Sequence, residues 1–353
     1  MPVITVNIKH IEACRIIHDI KHGIPVIIEE NNKSQYLVLA LDKTNKDFFT
    51  KLKSCINDCH LCLSANRINF ITCGQIRNGA QISCQELNWQ DILDFAFATS
   101  VPQISWKITG DFLKTILSFL ESFETIPAII TARIKNSVHF YQTIHIDKID
   151  YYLSSVTRDV HEVSKAKVIT KYGQIQIMSF CDDLMKNHYG ILIQPDKLQS
   201  NLTPIVRIHS SCFTGDLMYS LQCDCHDQLH KAIELMVQFQ GGILIYLNQE
   251  GRGIGLSNKI RVYDIMSKGY DTVEANNCLG FSDDIRSFQI AANILLRLKK
   301  RNIILLSNNP KKSKELEKCG IHVVKVVKHQ FLQPEIIKYY HTKATKMNHD
   351  IKS

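Results

Sequence analysis

Three cysteines in residues 207–225, R-I-H-S-S-C-F-T-G-D-L-M-Y-S-L-Q-C-D-C, constrain this chain more than any other feature. Cys212, Cys223 and Cys225 follow the spacing C-x10-C-x-C. Packing alone does not explain three thiols so close in sequence. A fold that brings them together offers three thiolates to one ion, and zinc suits sulfur ligands. With three protein ligands, the fourth position stays open for a water, as a catalytic zinc needs. A closed structural site would instead draw a fourth ligand from His209 or His226, and the motif alone leaves that alternative open. Cys223 and Cys225 are expected on a strand, where alternate residues share a face and Asp224 points the other way.

The chain has 353 residues, enough for two domains. It is too long for a disulfide scaffold despite its twelve cysteines. Close cysteine spacings in a reducing, cytoplasmic setting point to metal or catalytic sites. The opening M-P-V-I-T-V-N-I-K-H lacks the basic and apolar regions of a secretory signal. No apolar run approaches the ~18 residues of a membrane span. The expectation is a cytoplasmic protein with no membrane association. Its net charge of +8 is spread over scattered lysines, with short clusters at Lys299-Lys300-Arg301 and Lys311-Lys312. The absence of a long basic block argues against a nucleic-acid partner.

The fold class expected is α/β (α+β) in two domains: a smaller N-terminal α/β domain, then a mixed sheet with helices carrying the zinc site. Residues 11–21 have helical period before Gly23, and 25–29 and 36–41 read as strands around a turn. Residues 147–165 read as a polar connection, with the boundary near residue 160. Beyond it we expect a strand pair over 167–179, strands at 191–193 and 204–208, and an amphipathic helix over 227–240. A buried strand over 243–247 leads into a glycine-rich loop, 248–255, and a helix over 256–268. Residues 271–280 read as irregular, and Ser282 as the cap of a long helix over 283–301. A strand at 303–306, a helix at 310–319 and a strand at 321–327 complete the chain. Cys55, Cys59 and Cys62 have an iron–sulfur-like C-x3-C-x2-C spacing, but no glycine-rich cofactor stretch follows, and they read as small buried hydrophobes.

Three later loops carry chemistry. In N-Q-E-G-R-G-I-G the glycines permit close backbone approach, Arg252 suits phosphate oxygens, and Glu250 suits the N–H edge of a guanine. In G-F-S-D-D-I-R a helix beginning at Ser282 would put Asp283, Asp284 and Arg286 in its first turn, where a phosphate is welcome. First-turn acids are ordinary; a cation such as Arg286 is not. In L-S-N-N-P-K-K, Ser307 can donate to an oxyanion and Lys312 can supply charge at a strand end. Together they describe a zinc hydrolase for a phosphorylated, nucleotide-like substrate.

The ordered set R-x-H-S-x-C-x-T-G-D…C-D-C, Q-E-G-R-G-I-G-L, Y-D-T-V-E-A-N, G-F-x-x-D-x-R and N-N-P-K-K resembles the GTP cyclohydrolase II family, and the tail at 341–349 is similar too. The resemblance covers residue 165 to the end, and assigns 161–353 to that domain. It implies opening of the imidazole ring of GTP, with C8 leaving as formate and the terminal phosphates as pyrophosphate, at the entry to riboflavin synthesis. It implies that Cys212, Cys223 and Cys225 hold zinc, which delivers water to C8. Arg207, Ile208, His209, Ser210, Ser211, Gln228, Glu250, Gly251, Arg252, Thr272, Ser307 and Lys312 fall at GTP-binding positions. Asp284 matches a proton acceptor, Arg286 a nucleophile toward the α-phosphate, and Tyr263 an active-site tyrosine. Magnesium accompanying the triphosphate and a homodimer are also implied. Ser211 stands where relatives often carry glutamate, and Ser307 where they often carry threonine.

Residues 1–160 resemble a diverged dihydroxybutanone phosphate synthase domain in their opening helix, strand, turn and strand. Their loop, Glu29-Glu30-Asn31-Asn32-Lys33-Ser34-Gln35, has two acids followed by amides and a lysine, and no glycine-histidine-threonine-glutamate stretch follows. The expectation is an inactive domain. Two alternatives to the enzyme are a zinc-stabilised GTP-binding regulator without turnover, and a zinc nucleobase deaminase. The deaminase would need H-x-E with P-C-x-x-C, which the chain lacks.

Overall fold

A computed structural model of the chain describes residues 8–31, 33–134, 141–154, 159–198 and 203–328. Asn32 and the tail motif at 341–349 lie outside the described residues. The first stretch runs α1 (Ile8–Lys21), β1 (Val26–Glu29), β2 (Gln35–Ala40), α2 (Lys46–Cys55), β3 (Cys59–Leu63), α3 (Ala65–Thr72), β4 (Ala80–Ser83), α4 (Trp89–Phe97), β5 (Lys107–Ile108), α5 (Asp111–Ser122), β6 (Ala128–Ile134), β7 (Thr143–His145) and α6 (Ile146–Ser154). The second runs β8 (Val160–Thr170), β9 (Gly173–Asp182), β10 (Asn187–Ile193), β11 (Ile205–Ser210), α7 (Cys225–Gln238), β12 (Gly242–Leu247), α8 (Leu256–Ser267), α9 (Thr272–Cys278), α10 (Gln289–Arg297), β13 (Asn302–Leu306), α11 (Pro310–Lys318) and β14 (His322–Val327).

Packing divides these elements into two units, Met1–Val156 with Gly253–Ile285, and Thr157–Arg252 with Arg286–Ser353. The first is built on a sheet in the order β5-β4-β3-β6-β2-β1-β7. Its pairs are antiparallel except β1 with β7. Apolar residues of β2, β3 and β6 meet Phe49, Ile68, Ile92 and Phe95 in one core. Val262 and Ile265 of α8, Ala275 and Cys278 of α9, and Phe281 enter that same core. That apolar stripe is why Gly253–Ile285 groups with the first unit. Cys59 and Cys62 lie on β3, three residues apart and so on opposite faces, while Cys55 is exposed at the end of α2. Those three thiols do not converge.

The second unit has the sheet order β14-β13-β11-β12-β10-β9-β8. The strands β14, β13, β11 and β12 are parallel, and β12, β10, β9 and β8 are antiparallel. Both faces of the parallel part are covered, which explains the continuous apolar runs of β11 and β12. Val206, Ile208, Ile243 and Ile245 pack with Ile290, Ala291, Ile294 and Leu295 of α10. Ile205 and Leu244 pack with Ala232 and Met236 of α7 on the other face.

Four local expectations differ from the structure. Residues 147–165 are not a mere connection: they form most of α6 and the start of β8. Residues 271–280 hold α9, whose start is fixed by a capping box between Asp271 and Glu274. The long helix over 283–301 begins only at Gln289. Ser282 does not cap it: Phe288, buried and with its N–H donating to Glu315 at 2.7 Å, takes the N-cap position, while the Ser282 N–H is held by the Glu121 carboxylate. Residues 283–287 are therefore irregular, and Asp283, Asp284 and Arg286 gain nothing from a helix terminus. Finally, Cys223 and Cys225 are not on a strand. Asp224 takes the turn-like φ −94°, ψ 14°, and Cys225 is the first residue of α7.

Candidate functional site

Alternation on β11 sets the site. Val206 and Ile208 face α10, so Ile205, Arg207 and His209 face the α7 side. Arg207 and His209 are buried there. The Arg207 guanidinium donates to the Leu306 carbonyl at 3.2 Å and to the Gln228 side chain, which in turn donates to Asp224. Burial pushes the Arg207 pKa down, against the pull of Asp224.

Beyond Ser210 the chain makes a π turn over Phe213–Leu217. Asp216 fastens it. Its carboxylate accepts from the Cys212 N–H at 3.0 Å, the Tyr246 hydroxyl at 2.9 Å and His209 Nε2 at 3.0 Å. Burial also lowers the His209 pKa, which keeps the ring neutral with Nε2 as donor. Glu250 ties the glycine-rich loop to the same turn, accepting the Phe213 N–H at 2.7 Å.

The turn and the start of α7 bring Cys212, Cys223 and Cys225 together, with all three sulfurs within 4.8 Å of one another. The Cys212 and Cys223 sulfurs are 3.7 Å apart. Bonds of ~2.3 Å to a tetrahedral zinc would set sulfurs about 3.8 Å apart, so the donor set fits zinc in chemistry and spacing. Hydrogen bonding to Cys212 and burial push the Cys223 thiol up to about 11, and Cys225 is also raised by its thiol neighbours. Binding of a cation would displace the protons of the Cys223 and Cys225 thiols. Gly215 lies against it: a Cβ there would come 2.8 Å from Cys225 Cβ, 2.9 Å from Cys223 Sγ and 3.0 Å from Cys212 Sγ. Among the described residues no fourth His, Cys, Asp or Glu joins the group. His209 is engaged by Asp216, and the His226 ring lies against Tyr219 and His230 at centroid distances of 3.8 and 4.0 Å. Neither histidine completes a closed structural site.

The parallel strands β13, β11 and β12 are neighbours, so Ser307, Ser210–Ser211 and the 248–255 loop emerge at their carboxyl ends, where α/β sheets bind ligands. Several polar atoms there are buried without a hydrogen-bond partner among the described residues: Arg207 Nε, Ser210 Oγ, Ser211 Oγ and both terminal nitrogens of Arg252. Leaving such a group unpaired costs about 1–3 kcal/mol. The set is rich in donors and cationic, which matches an anion with many oxygens. Arg252 sits in a left-handed turn, φ +62°, between Gly251 and Gly253, also at positive φ. Lys312 Nζ donates to the Ile208 carbonyl at 2.8 Å and lies 5.3 Å from the Phe288 ring centroid. The Arg286 guanidinium is 5.6 Å from the same centroid. Ser307 Oγ accepts the Asn309 N–H at 3.0 Å.

Tyr263 on α8, Thr272 at the start of α9, and Asp284 in the run after it belong to the first unit. The remaining candidates belong to the second.

Sequence reasoning passed over Gly215 and Asp216, although T-G-D was visible between the cysteines. It also passed over a buried pair behind the glycine-rich loop. His188 Nε2 is 3.2 Å from Asp182, and His188 Nδ1 accepts the Asn248 N–H at 3.1 Å. A histidine just ahead of the apolar run of β10 was the available signal.

Comparisons with known proteins bear on this arrangement. The profile of the family described as GTP cyclohydrolase II matches residues 161–328. GTP cyclohydrolase-2 of Psychromonas ingrahamii is 49% identical over 169 residues, covering 47% of this chain and 83% of that protein. Riboflavin biosynthesis protein RibBA of Staphylococcus saprophyticus is 39% identical over 214 residues, 60% of this chain and 53% of that protein. The chain thus spans about half the length of the RibBA relatives it matches. A solved two-domain 3,4-dihydroxy-2-butanone 4-phosphate synthase from A. baumannii, RibBX, covers 91% of this chain and 99% of its own, at 14% identity and a TM-score of 0.33, too slight a likeness to build on.

Proposed function

This chain belongs to the GTP cyclohydrolase II family, and from that premise we propose that it hydrolyses GTP to the diamino-ribosylamino-pyrimidinone phosphate, formate and pyrophosphate, in riboflavin synthesis. The observation that carries the reading is the convergence of Cys212, Cys223 and Cys225 beside a set of buried, unpartnered donors at the same strand ends. Cys212, Cys223 and Cys225 would hold zinc, which when bound supplies Lewis-acid activation of a water. Arg207, Arg252, Lys312, Ser210, Ser211 and Ser307 bind and orient the triphosphate, and Gln228 holds Arg207 in place. The backbone of Ile208 and Gly251 and the side chains of His209, Glu250 and Thr272 complete the nucleotide contacts. Asp284 would accept a proton, Arg286 would act as the nucleophile that takes the α-phosphoryl group as its bond to the β-phosphate breaks and pyrophosphate leaves, with water later releasing the phosphoryl group from the arginine, and Tyr263 would assist at the reacting end. Magnesium would accompany the triphosphate, whose oxygens are the hard ligands it prefers.

Residues 161–353 are assigned to this activity, in the cytoplasm and as a homodimer. Residues 1–160 are assigned to a diverged, inactive dihydroxybutanone phosphate synthase domain; turnover of ribulose 5-phosphate by the purified chain would refute that assignment. The main reading is tested by stripping the metal with a chelator and restoring zinc. GTP turnover should vanish and return with one zinc per chain. Tight GTP binding without turnover at any zinc loading would favour the inert regulator instead.

A further inference from the structure

We infer that the first unit is a scaffold for the reaction segment, with Glu121, Ser64 and Arg67 acting as positioning residues for residues 278–284. The inference rests on the function proposed above, because it is that reading which places Tyr263, Thr272 and Asp284 in the reaction. All three lie in Gly253–Ile285, which is built into the first unit.

The attachment is both apolar and polar. Ile254, Val262, Ile265, Ala275, Cys278, Leu279 and Phe281 share one core with Leu61, Ile68, Phe95 and Ile126. Phe281, three residues before Asp284, is fully buried. Asn258 donates to the Glu124 carbonyl at 2.9 Å. Ser64 Oγ donates to the Gly280 carbonyl at 2.6 Å, and the Glu121 carboxylate accepts the Ser282 N–H. Burial raises the pKa of Glu121, and the Ser282 N–H offsets part of that cost.

Arg67 is the most heavily engaged. It is 1% exposed, and its guanidinium donates to the carbonyls of Cys278 at 2.8 Å, Phe95 at 2.8 Å, Asp94 at 3.0 Å and Ala98 at 2.7 Å. One cation thus joins the carbonyl ends of α4 and α9, where positive charge is favoured. Gly280 takes φ +82°, and a Cβ there would sit 2.7 Å from Ser64 Oγ and 3.3 Å from Arg67 Cβ. The glycine of G-F-S-D-D-I-R is therefore required by its approach to the first unit.

Only Asp283 separates Ser282 from Asp284, so the Ser282 tie sets where the Asp284 backbone starts. A displacement of 1 Å at a reacting group can cost on the order of a hundredfold in rate. Removing the acceptor at Glu121 frees that backbone without touching the zinc ligands or the phosphate-binding residues.

The test uses the full-length, zinc-loaded chain. Glu121→Ala should lower kcat by roughly tenfold or more with little change in KM or zinc content, and lower the thermal midpoint by no more than the loss of one buried hydrogen bond. Glu121→Gln, which keeps an acceptor oxygen, should stay near wild type. A kcat for Glu121→Ala within about twofold of wild type, or an equal fall in Glu121→Gln, would overturn the inference. Should Glu121→Ala fail to fold, Glu121→Asp decides, because it draws the acceptor back by about 1.5 Å and an unchanged kcat would then be fatal. Amide hydrogen exchange over residues 280–284 reads the tie without turnover. Faster exchange in Glu121→Ala but not in Glu121→Gln supports the scaffold even if the wild-type chain releases no formate, and unchanged exchange overturns it.

Discussion

Gly215 offers the sharpest single perturbation of the thiol cluster. Its φ is not in the left-handed region, so alanine can take the backbone and only space is at issue. The added methyl would meet Cys225 Cβ at 2.8 Å, Cys223 Sγ at 2.9 Å and Cys212 Sγ at 3.0 Å. Ordinary contacts fall near 3.5–4.0 Å, so the three neighbours must retreat by roughly 0.5–1 Å. Zinc–ligand distances tolerate about 0.2 Å, so the cluster cannot absorb this and still close on an ion. Overpacking of this kind costs about 1–3 kcal/mol, which corresponds to roughly five- to 150-fold weaker zinc binding. Competition against a chromophoric chelator measures it, with the thermal midpoint of the metal-free protein as control. Zinc affinity of Gly215→Ala equal to wild type would refute the idea that Gly215 shapes a metal site.

Other outcomes follow from the same geometry. Cys223→Ser should leave the chain folded but reduce bound zinc, read by metal analysis, because a hydroxyl is a poor replacement for a thiolate. Arg252→Ala should raise the Kd for GTP by about tenfold or more in calorimetry, through loss of charge-assisted contacts, with zinc content unchanged. Arg67→Leu should destabilise the chain by about 3 kcal/mol or more in denaturant unfolding, since four carbonyls, two of them in buried hydrogen bonds, lose the guanidinium as a donor. Burial works to raise the Asp182 pKa, but hydrogen bonds from His188 and from the N–H groups of Lys186 and Leu184 outweigh it, and the net shift is downward. Its stabilisation is therefore present above the unfolded carboxyl value of about 3.9 and is lost as pH falls through the folded value. Asp182→Asn should flatten the acid limb of thermal midpoint against pH.

Much of the second unit was legible because its signals are local. The apolar strands at 243–247 and 303–306, the helix at 310–319 and the cysteine spacing each follow from neighbours in sequence. The misreadings came where distant residues decide. A serine before Asp-Asp looks like a helix cap, yet the helix starts only after Phe288, whose burial and Glu315-bound N–H are set by residues distant in sequence. The α9 helix had a readable capping box in Asp271-Thr-Val-Glu274, but its polar composition masked it. The convergence of Cys223 and Cys225 is expected from strand alternation and is made instead by a turn running into α7. Asp216 was hidden because its role depends on His209 and Tyr246, which only the sheet brings near. The grouping of Gly253–Ile285 with the first unit had no local signature, since it depends on a shared core.

One stoichiometry decides whether the chain opens the ring of GTP. GTP labelled at C8 is incubated with the zinc-loaded chain and magnesium, and products are counted against GTP consumed. One labelled formate and one pyrophosphate are expected for each GTP lost. Release of ammonia, of pyrophosphate with the label still in the ring, or of no product from bound GTP would contradict it.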